Sequence, residues 1–389
     1  MGAVRALLNP LAATGQDLDP AGRAPLDFHR RLPEYAATPL VDAPGLAGAL
    51  GVGRVWVKDE SWRLGLPAFK ILGASWAVYR ALEQRSGGIG EWGDVEELRG
   101  RLAPLLPLTL AAATDGNHGR AVARMARMLG LGARIFVPAD MAPARIEAIR
   151  SEGAEVVVVR GTYDEAVARS AEEADGRCLV ISDTSWPGYE DVPRWVIEGY
   201  STILWEVSDE LGRRGEEGPD LVVVQIGVGA FAAAVTRHFR SPGVSPRPKI
   251  LGTEPAGAAC ALASAGAGGI VHVPGPHGSI MAGLNCGSPS VVAWPTISTG
   301  IDVFVAIEDD WAREAMRMLA GAGIVSGETG AAGLAGLLAV VQEEGGRRTL
   351  GLTEGARVLI FNCEGATDPE AYGRIVSGAG GPPPPNAYS

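Results

Sequence analysis

The chain has 389 residues, of which 47% are hydrophobic and 20% charged, and its formal net charge is −11. This length and balance are typical of a globular protein of about two domains. The acidic charge argues against nucleic acid or an anionic membrane as the main partner.

Short β-branched runs alternate with alanine-rich helical stretches. In chain order the predicted strands are "RVWVKDE", "LTLAAAT", "ARIFVP", "EVVVV", "CLVIS", "LVVVQIG", "KILGTEP", "IDVFVAIED" and "ARVLIFNCEG". Helices are predicted from about Pro67 to Gln84 and in "DGNHGRAVARMARMLG", "PARIEAIRSEG", "YDEAVARSAEEADG" and "PRWVIEGYSTILWEVSDEL". This alternation predicts parallel strands joined by helical crossovers, which is an α/β fold. Two doubly wound lobes with mostly parallel sheets fit the length better than one very wide sheet.

Lys70 is the first unusual residue along the chain. Lysine occurs only at Lys58, Lys70 and Lys249, and Lys70 lies in the apolar stretch "LGLPAFKILGASWAV". A lysine in a desolvated pocket can lose its proton and act as a nucleophile or form a Schiff base, whereas arginine cannot. The alternative is a surface lysine whose stem packs on the protein and whose head reaches water.

The turn "AAATDGNHGRAVA" places Asp115, Asn117 and His118 after a predicted strand. In open parallel sheets, ligands bind beyond the carboxyl ends of the strands. This turn offers backbone amides and an asparagine amide to an anion, and Asp115 as an acid or base. An Asx-type turn that caps the helix is the alternative, but it accounts for one polar residue rather than three.

Asp183 follows another predicted strand, in "ISDTSWPGYEDVP". It is a second candidate acid or base at a strand end. A helix cap is the alternative for Asp183, and core packing is the alternative for the aromatic residues beside it. The local sequence slightly favours these structural alternatives.

The segment "VVVQIGVGAFAAAV" is an apolar strand followed by Gly227, Val228, Gly229 and Ala230 and a small-residue helix. Glycines let backbone N–H groups converge on an anion, and a helix N-terminus adds about half a positive charge. The pattern therefore indicates a phosphate site. It lacks the third glycine of G-x-G-x-x-G, and a tight strand-to-helix turn is the alternative.

The last predicted strand ends at Cys363, in "VLIFNCEGATDP". A cysteine here is either a small hydrophobe or a weak hydrogen-bonding partner for a ligand heteroatom.

Together these segments require a ligand with a phosphate, an aldehyde for lysine and a ring nitrogen. Pyridoxal phosphate meets all three requirements.

The four cysteines are scattered, with no CxxC and no metal-ligand spacing. This distribution predicts single thiols in a reducing compartment and no metal site.

The N-terminal apolar run is too short for a signal peptide, and no run is long enough to span a bilayer. We therefore expect a cytoplasmic protein.

Seven motifs carry a resemblance to a known family: "KDESWRLGLPAFKILGAS", "ATDGNHGRAVA", "SDTSWPGYEDVPRWVIEGY", "IGVGAF", "IMAGLNCGSPS", "SGETGAAGL" and "CEGATDPEAY". In this order, over residues 30–375, the sequence resembles the diaminopropionate ammonia-lyases. These are fold-type-II pyridoxal-phosphate enzymes, in the superfamily of the threonine and serine dehydratases. The motifs around Lys70, Asp115 and Asp183 are specific to the ammonia-lyase branch.

The resemblance implies a role for each candidate residue. Lys70 is the Schiff-base lysine, Asn117 binds the phenolic oxygen of the cofactor, and Cys363 is the partner of its ring nitrogen. The loop from Gly227 to Ala230 holds its phosphate. Asp115 and Asp183 are the two carboxylates that bind substrate amines and transfer protons. Asp115 serves a substrate with an L-configured α-carbon, and Asp183 serves one with a D-configured α-carbon.

The implied reaction is an α,β-elimination that converts 2,3-diaminopropionate to pyruvate and ammonia. The chain departs from the family pattern at Pro67, Cys363 and Ala366, and we expect Pro67 and Ala366 near the pocket. Two alternatives stay open: a related dehydratase or β-replacement enzyme, and a catalytically silent relative that binds a small ligand.

The resemblance also implies domain bounds and assembly. We expect residues 1–105 and 196–389 to form the larger, cofactor-binding domain, and residues 106–195 a smaller, mobile domain. A homodimer is expected from the family alone. The expected partner is a small amino-acid substrate, with no nucleic acid and no membrane.

Overall fold

The structure is a computed structural model, and it describes residues 2, 4–13, 17–114 and 116–377. The described strands are β1 Arg5–Leu8, β2 Leu40–Asp42, β3 Arg54–Asp59, β4 Thr109–Ala113, β5 Gly132–Pro138, β6 Glu155–Val159, β7 Cys178–Val180, β8 Leu221–Gln225, β9 Lys249–Pro255, β10 Val303–Ile307 and β11 Arg357–Asn362. The described α-helices are α1 Ala24–His29, α2 Pro44–Leu50, α3 Lys70–Ser86, α4 Val95–Leu102, α5 Asn117–Leu129, α6 Pro143–Arg150, α7 Tyr163–Ala171, α8 Asp191–Gly199, α9 Ser201–Arg214, α10 Ala230–Phe239, α11 Cys260–Ala267, α12 Trp294–Gly300, α13 Asp309–Gly321, α14 Glu328–Gln342, α15 Gly346–Leu350 and α16 Pro369–Ser377. Short 3-10 helices lie at Ala103–Leu105, Ala256–Ala258 and Ala282–Leu284.

The larger sheet has seven strands in the order β1-β10-β9-β8-β11-β3-β2. Its five central strands run parallel, and β1 and β2 are added antiparallel at the two edges. Val55 and Val57 of β3 pack into one core cluster and Trp56 into another, and all three are fully buried. The interior of this sheet is therefore covered on both faces, as parallel strands require.

The smaller sheet has four parallel strands in the order β6-β5-β4-β7. All of its residues fall between β3 and β8 in the sequence, so this sheet is an insertion into the larger one. The predicted α/β architecture with mostly parallel sheets is confirmed. The domain bounds 1–105, 106–195 and 196–389, and the mobility of the smaller domain, stay predictions.

Helices α3 and α8, which lead into and out of the inserted part, lie close together because each presents a glycine to the other. A Cβ atom at Gly73 would be 2.6 Å from the ring of Tyr200, and one at Gly199 would collide with the carbonyl oxygen of Leu72. The absence of two side chains therefore fixes the distance between the helices, and it places the buried ring of Tyr200 against α3.

Two predicted helices were wrong in their extent. The helix predicted from Pro67 begins at Lys70, since the preceding residues are tied to the end of β11: Phe69 N–H donates to Cys363 O at 3.3 Å, and Pro67 O accepts from Gly365 N–H at 3.0 Å. The single helix predicted in "PRWVIEGYSTILWEVSDEL" is two helices, separated at Tyr200. Across the ranges described above, no helix combines the length and the apolar character that a membrane crossing needs.

Candidate active site

One narrow cavity lies beyond the carboxyl ends of the strands of both sheets. It gathers the sequence-predicted site residues Lys70, Asn117, Asp183, Gly227, Val228, Gly229, Ala230 and Cys363. They follow β3, β4, β7, β8 and β11, so separate strand ends supply one site. Asp115 lies outside the described residues. Pro67 and Ala366, where the chain departs from the family pattern, are not among the residues that line the cavity. The backbone oxygen of Pro67 accepts a hydrogen bond from Gly365 N–H.

Lys70 is the first residue of α3, and its ammonium group meets a carboxylate across the cavity. Nζ donates to Asp183 Oδ2 at 2.9 Å, and the two side chains are 21% and 8% exposed. The other two lysines lie elsewhere: Lys58 is buried against Glu206, and Lys249 donates to the backbone oxygen of Thr349. The lysine that sequence reasoning selected is therefore the one in the cavity.

Asp183 is held as a carboxylate by its neighbours. Burial by itself raises the pKa of Asp183, but Lys70, His118 and Tyr163 together outweigh burial, and the pKa lies well below its usual range. Tyr163 O–H donates to Asp183 Oδ1 at 3.3 Å, and His118 Nδ1 lies 3.9 Å from Oδ2. Asp183 is therefore ionised and oriented at neutral pH.

His118 supports this arrangement as a neutral imidazole. Burial lowers its pKa. Nε2 lies 2.8 Å from the carbonyl oxygen of Ile181, and because a carbonyl only accepts, Nε2 carries the hydrogen. Nδ1 then presents a lone pair toward Asp183, so a proton delivered to the carboxylate has a second acceptor beside it.

The glycine loop joins β8 to the ten-residue helix α10. Gly229 has a backbone φ of +95°, a conformation that residues other than glycine rarely adopt. Helix α10 begins at the next residue. A Cβ at Gly227 would lie 2.9 Å from the carbonyl oxygen of Gly283, so the 3-10 helix Ala282–Leu284 packs closely against this turn. The resulting concave backbone at a helix N-terminus is suited to a phosphate.

Cys363 and Asn117 lie at the two remaining strand ends. Burial raises the pKa of the Cys363 thiol, which therefore stays neutral. Asn117 begins α5, and its Nδ2 donates to Glu364 Oε2 at 2.5 Å. A neutral thiol and an amide suit a ring nitrogen and a phenolic oxygen, respectively.

Sequence reasoning missed several cavity residues, among them Tyr163, Gln225, Thr329 and Glu364. Tyr163 is the first residue of an amphipathic helix with an ordinary capping box, so nothing local marks it. Glu364 directly follows Cys363, and its position just after a strand end could have marked it as a candidate site residue. No group of three or more His, Cys, Asp or Glu side chains that could hold a metal occurs within the described ranges.

Comparison with known proteins matches the sequence to the pyridoxal-phosphate-dependent enzymes. The family model described as pyridoxal-phosphate dependent enzyme matches residues 32–363. A diaminopropionate ammonia-lyase from Salmonella typhimurium is 36% identical over 372 residues, covering 91% of each chain. One from Escherichia coli K12 is also 36% identical and covers 90% of this chain and 89% of its own. The chain belongs to the diaminopropionate ammonia-lyase family.

Solved structures of this family agree in fold over nearly the whole chain. The Escherichia coli diaminopropionate ammonia lyase in complex with D-serine has a TM-score of 0.89 and 33% identity, and it covers 96% of this chain and 97% of its own. The same enzyme in complex with an aminoacrylate-PLP azomethine reaction intermediate has a TM-score of 0.87 and 32% identity, with the same coverage. The predicted family, fold type and cofactor are thereby confirmed.

Proposed function

We propose that this chain is a pyridoxal-phosphate-dependent ammonia-lyase that converts 2,3-diaminopropionate to pyruvate and two ammonia. The observation that supports this most directly is the pairing of Lys70 with the ionised Asp183 at 2.9 Å in a cavity that also holds the glycine loop. A carboxylate in the cavity suits a substrate that carries a second ammonium group. Family membership sets the reaction class.

The residues of the chain fit the cofactor at four points. Lys70 would hold its aldehyde carbon, the loop from Gly227 to Ala230 its phosphate, Asn117 its phenolic oxygen and Cys363 its ring nitrogen. Pyridoxal phosphate supplies the electron sink that makes the α-hydrogen of a bound amino acid acidic. Because Cys363 is neutral, it gives the ring nitrogen no negative charge, a setting that favours elimination over transamination.

The groups proposed to take part in proton transfer are Lys70 Nζ and the Asp183 carboxylate. As a free amine, Lys70 Nζ would accept a proton in the cavity, and the ionised Asp183, whose Oδ2 lies 2.9 Å away, would stabilise the resulting ammonium. Tyr163 orients the carboxylate by donating to Oδ1. Asp183 is proposed to serve the D-isomer of the substrate, and Asp115 the L-isomer.

The aromatic wall beside Lys70 limits access of water. Phe69 and Phe231 both line the cavity, and their ring centroids are 4.6 Å apart. Electrostatic interactions are stronger in a site from which water is excluded. The Lys70–Asp183 interaction therefore operates in a partly dry environment.

Asp183→Asn tests this assignment. We expect turnover of D-2,3-diaminopropionate to fall at least ~100-fold, the usual scale for loss of a general acid or base, with the cofactor content unchanged. The matched control is Asp310→Asn, which removes a carboxylate from an exposed i,i+3 pair with Arg313 and should leave turnover unchanged. Pyruvate and ammonia are measured for both isomers and for serine and threonine. A wild-type enzyme that acts only on serine or threonine would overturn the assignment.

We also propose a cytoplasmic location and a homodimer. All four cysteines are free thiols, which supports a reducing compartment. The homodimer rests on the family resemblance alone, and the mass of the protein in solution tests it.

A further inference from the structure

Glu364 is a buried carboxylate in the cavity that the proposed mechanism does not use. It follows Cys363 at the end of β11 and is 2% exposed. Each of its oxygens accepts from a different helix: Oε1 from Thr329 N–H of α14 at 3.1 Å, and Oε2 from Asn117 Nδ2 of α5 at 2.5 Å. Glu364 thus connects the end of the larger sheet to the inserted part of the chain.

This contact decides which way the Asn117 side chain faces. An asparagine amide fits almost equally well when rotated by 180°, with its donor and acceptor exchanged. A carboxylate only accepts, so Asn117 must turn Nδ2 toward Glu364. Nδ2 carries a second hydrogen, which this contact leaves for another acceptor.

We propose that Glu364 is a positioning residue that holds the Asn117 amide so that Nδ2, and not Oδ1, meets the phenolic oxygen of the cofactor. The proposal rests on the proposed function in one respect: it takes the phenolic oxygen of the cofactor to lie beside Asn117. A phenolic oxygen that has lost its proton is an acceptor, and the reversed amide would set a lone pair against it.

Glu364 has a second hydrogen-bonding partner that does not depend on Asn117. Thr329 lies in the first turn of the fifteen-residue helix α14, where the helix dipole favours an anion. Burial and the negative charge of Glu364 raise the pKa of neighbouring Glu328 to about 6. Removing the Asn117 side chain therefore leaves the bond from Thr329 N–H to Glu364 Oε1 in place.

The site for Glu364 is shaped to its side chain. A Cβ at Gly327 would lie 2.8 Å from Glu364 Oε1, and one at Gly330 would lie 2.7 Å from its backbone oxygen. Glutamine has the same shape but accepts at one end only. In Glu364→Gln the amide oxygen accepts from Thr329 N–H, so the new NH2 group faces Asn117 and favours the reversed amide.

The experiment measures binding of pyridoxal phosphate to enzyme stripped of cofactor, with no substrate present. We expect Glu364→Gln to weaken binding about tenfold, the scale of one lost hydrogen bond, and to change the absorption spectrum of the bound cofactor and its pH dependence. The matched control is Glu328→Gln, which removes the neighbouring buried carboxylate and should change binding less than twofold.

A double-mutant cycle separates positioning from general destabilisation. If Glu364 acts through Asn117, Glu364→Gln should have no further effect on binding in an Asn117→Ala background. Asn117→Ala, which removes the donor directly, should weaken binding at least as much as Glu364→Gln. Glu364→Asp, which withdraws the carboxylate from Asn117 by one methylene group, provides the test if Glu364→Gln does not fold.

Three results would overturn the proposal: unchanged binding and spectrum in Glu364→Gln, an equal loss in Glu328→Gln, or a full additional effect in the Asn117→Ala background. The binding and absorption measurements are made without substrate. A wrong substrate assignment would therefore appear in the turnover of the wild-type enzyme and leave this cycle unaffected.

Discussion

At the scale of single residues, the three lysines show how environment sets chemical role. Lys58 is 1% exposed and donates to Glu206 and to the backbone oxygen of Thr38. Lys249 donates to the Thr349 carbonyl. Lys70 lies at the cavity with its ammonium against one carboxylate. An aldehyde that enters the cavity therefore meets Lys70 and neither of the other two.

Borohydride reduction of the cofactor-bound enzyme should attach the cofactor to Lys70. In Lys70→Arg the attachment should disappear, although the charge opposite Asp183 remains, because a guanidinium supplies no free amine. Lys249→Arg is the control and should keep the label. Mass spectrometry of the reduced peptides locates the cofactor, and a label on Lys58 or Lys249 would contradict the assignment.

The sequence indicated Lys70 through a local feature, an unusual residue type in an apolar stretch. At Asp183 the local sequence slightly favoured a helix cap, and its role followed from the family resemblance. It did not indicate Tyr163, whose hydroxyl reaches Asp183 from a helix twenty residues earlier. Nor did it give Glu364 a role, since its partner Asn117 is 247 residues away in the chain. Roles that depend on such distant contacts need the fold.

At the scale of elements, the contact between α3 and α8 positions the lysine. Lys70 opens α3, and Gly73 lies one turn later, where the ring of Tyr200 occupies the space of the missing side chain. Gly199 lets the backbone of α8 approach Leu72 of α3. A larger residue at either glycine would push the helices apart and move the first turn of α3.

Gly199→Ala should lower the free energy of unfolding by about 1–3 kcal/mol, the range for overpacking a core contact. The added methyl group would meet a backbone oxygen, which cannot rotate away. The matched control is Gly212→Ala in α9, where a Cβ would meet nothing within 4 Å. This control should be neutral or stabilising by about 0.5–1 kcal/mol. Urea unfolding compares the two, and equal stability of both variants would contradict the packing argument.

Element prediction succeeded for the parallel strands and failed at the edges of the larger sheet. Strands such as Leu221–Gln225 are buried at every residue and read as continuous apolar runs. The edge strands Arg5–Leu8 and Leu40–Asp42 have only four and three residues and are largely or partly exposed, so they carry no comparable signal. Their antiparallel pairing depends on neighbours remote in sequence.

At the scale of the whole molecule, the cavity lies between the two sheets and takes residues from both. Asn117 and Asp183 follow strands of the smaller sheet, and Lys70, the glycine loop and Cys363 follow strands of the larger one. A ligand that contacts all of them binds the folded chain and not the unfolded one. Ligand binding of this kind stabilises the folded state by mass action.

Removing pyridoxal phosphate should therefore lower the melting temperature. At a cofactor concentration ~100 times its dissociation constant, the stabilisation lost is about 2.7 kcal/mol. Gly229→Asp sets a carboxylate where the phosphate is expected and strains the backbone at φ +95°, so this variant should melt at a lower temperature without cofactor and show little rise in melting temperature with added cofactor. Thermal scans with and without cofactor measure both, and a full rise in the variant would place the phosphate elsewhere.

The position of β11 in the larger sheet has a consequence for how the chain folds during synthesis. This strand is the last one described along the sequence, yet it pairs with β8 on one side and β3 on the other. About 300 residues must be made before β3 meets that neighbour, and pairings of such long range fold slowly. Until then the apolar edges of β3 and β8 lack a partner and are open to aggregation. The nascent chain is thus most vulnerable just before Cys363 and Glu364 complete the site.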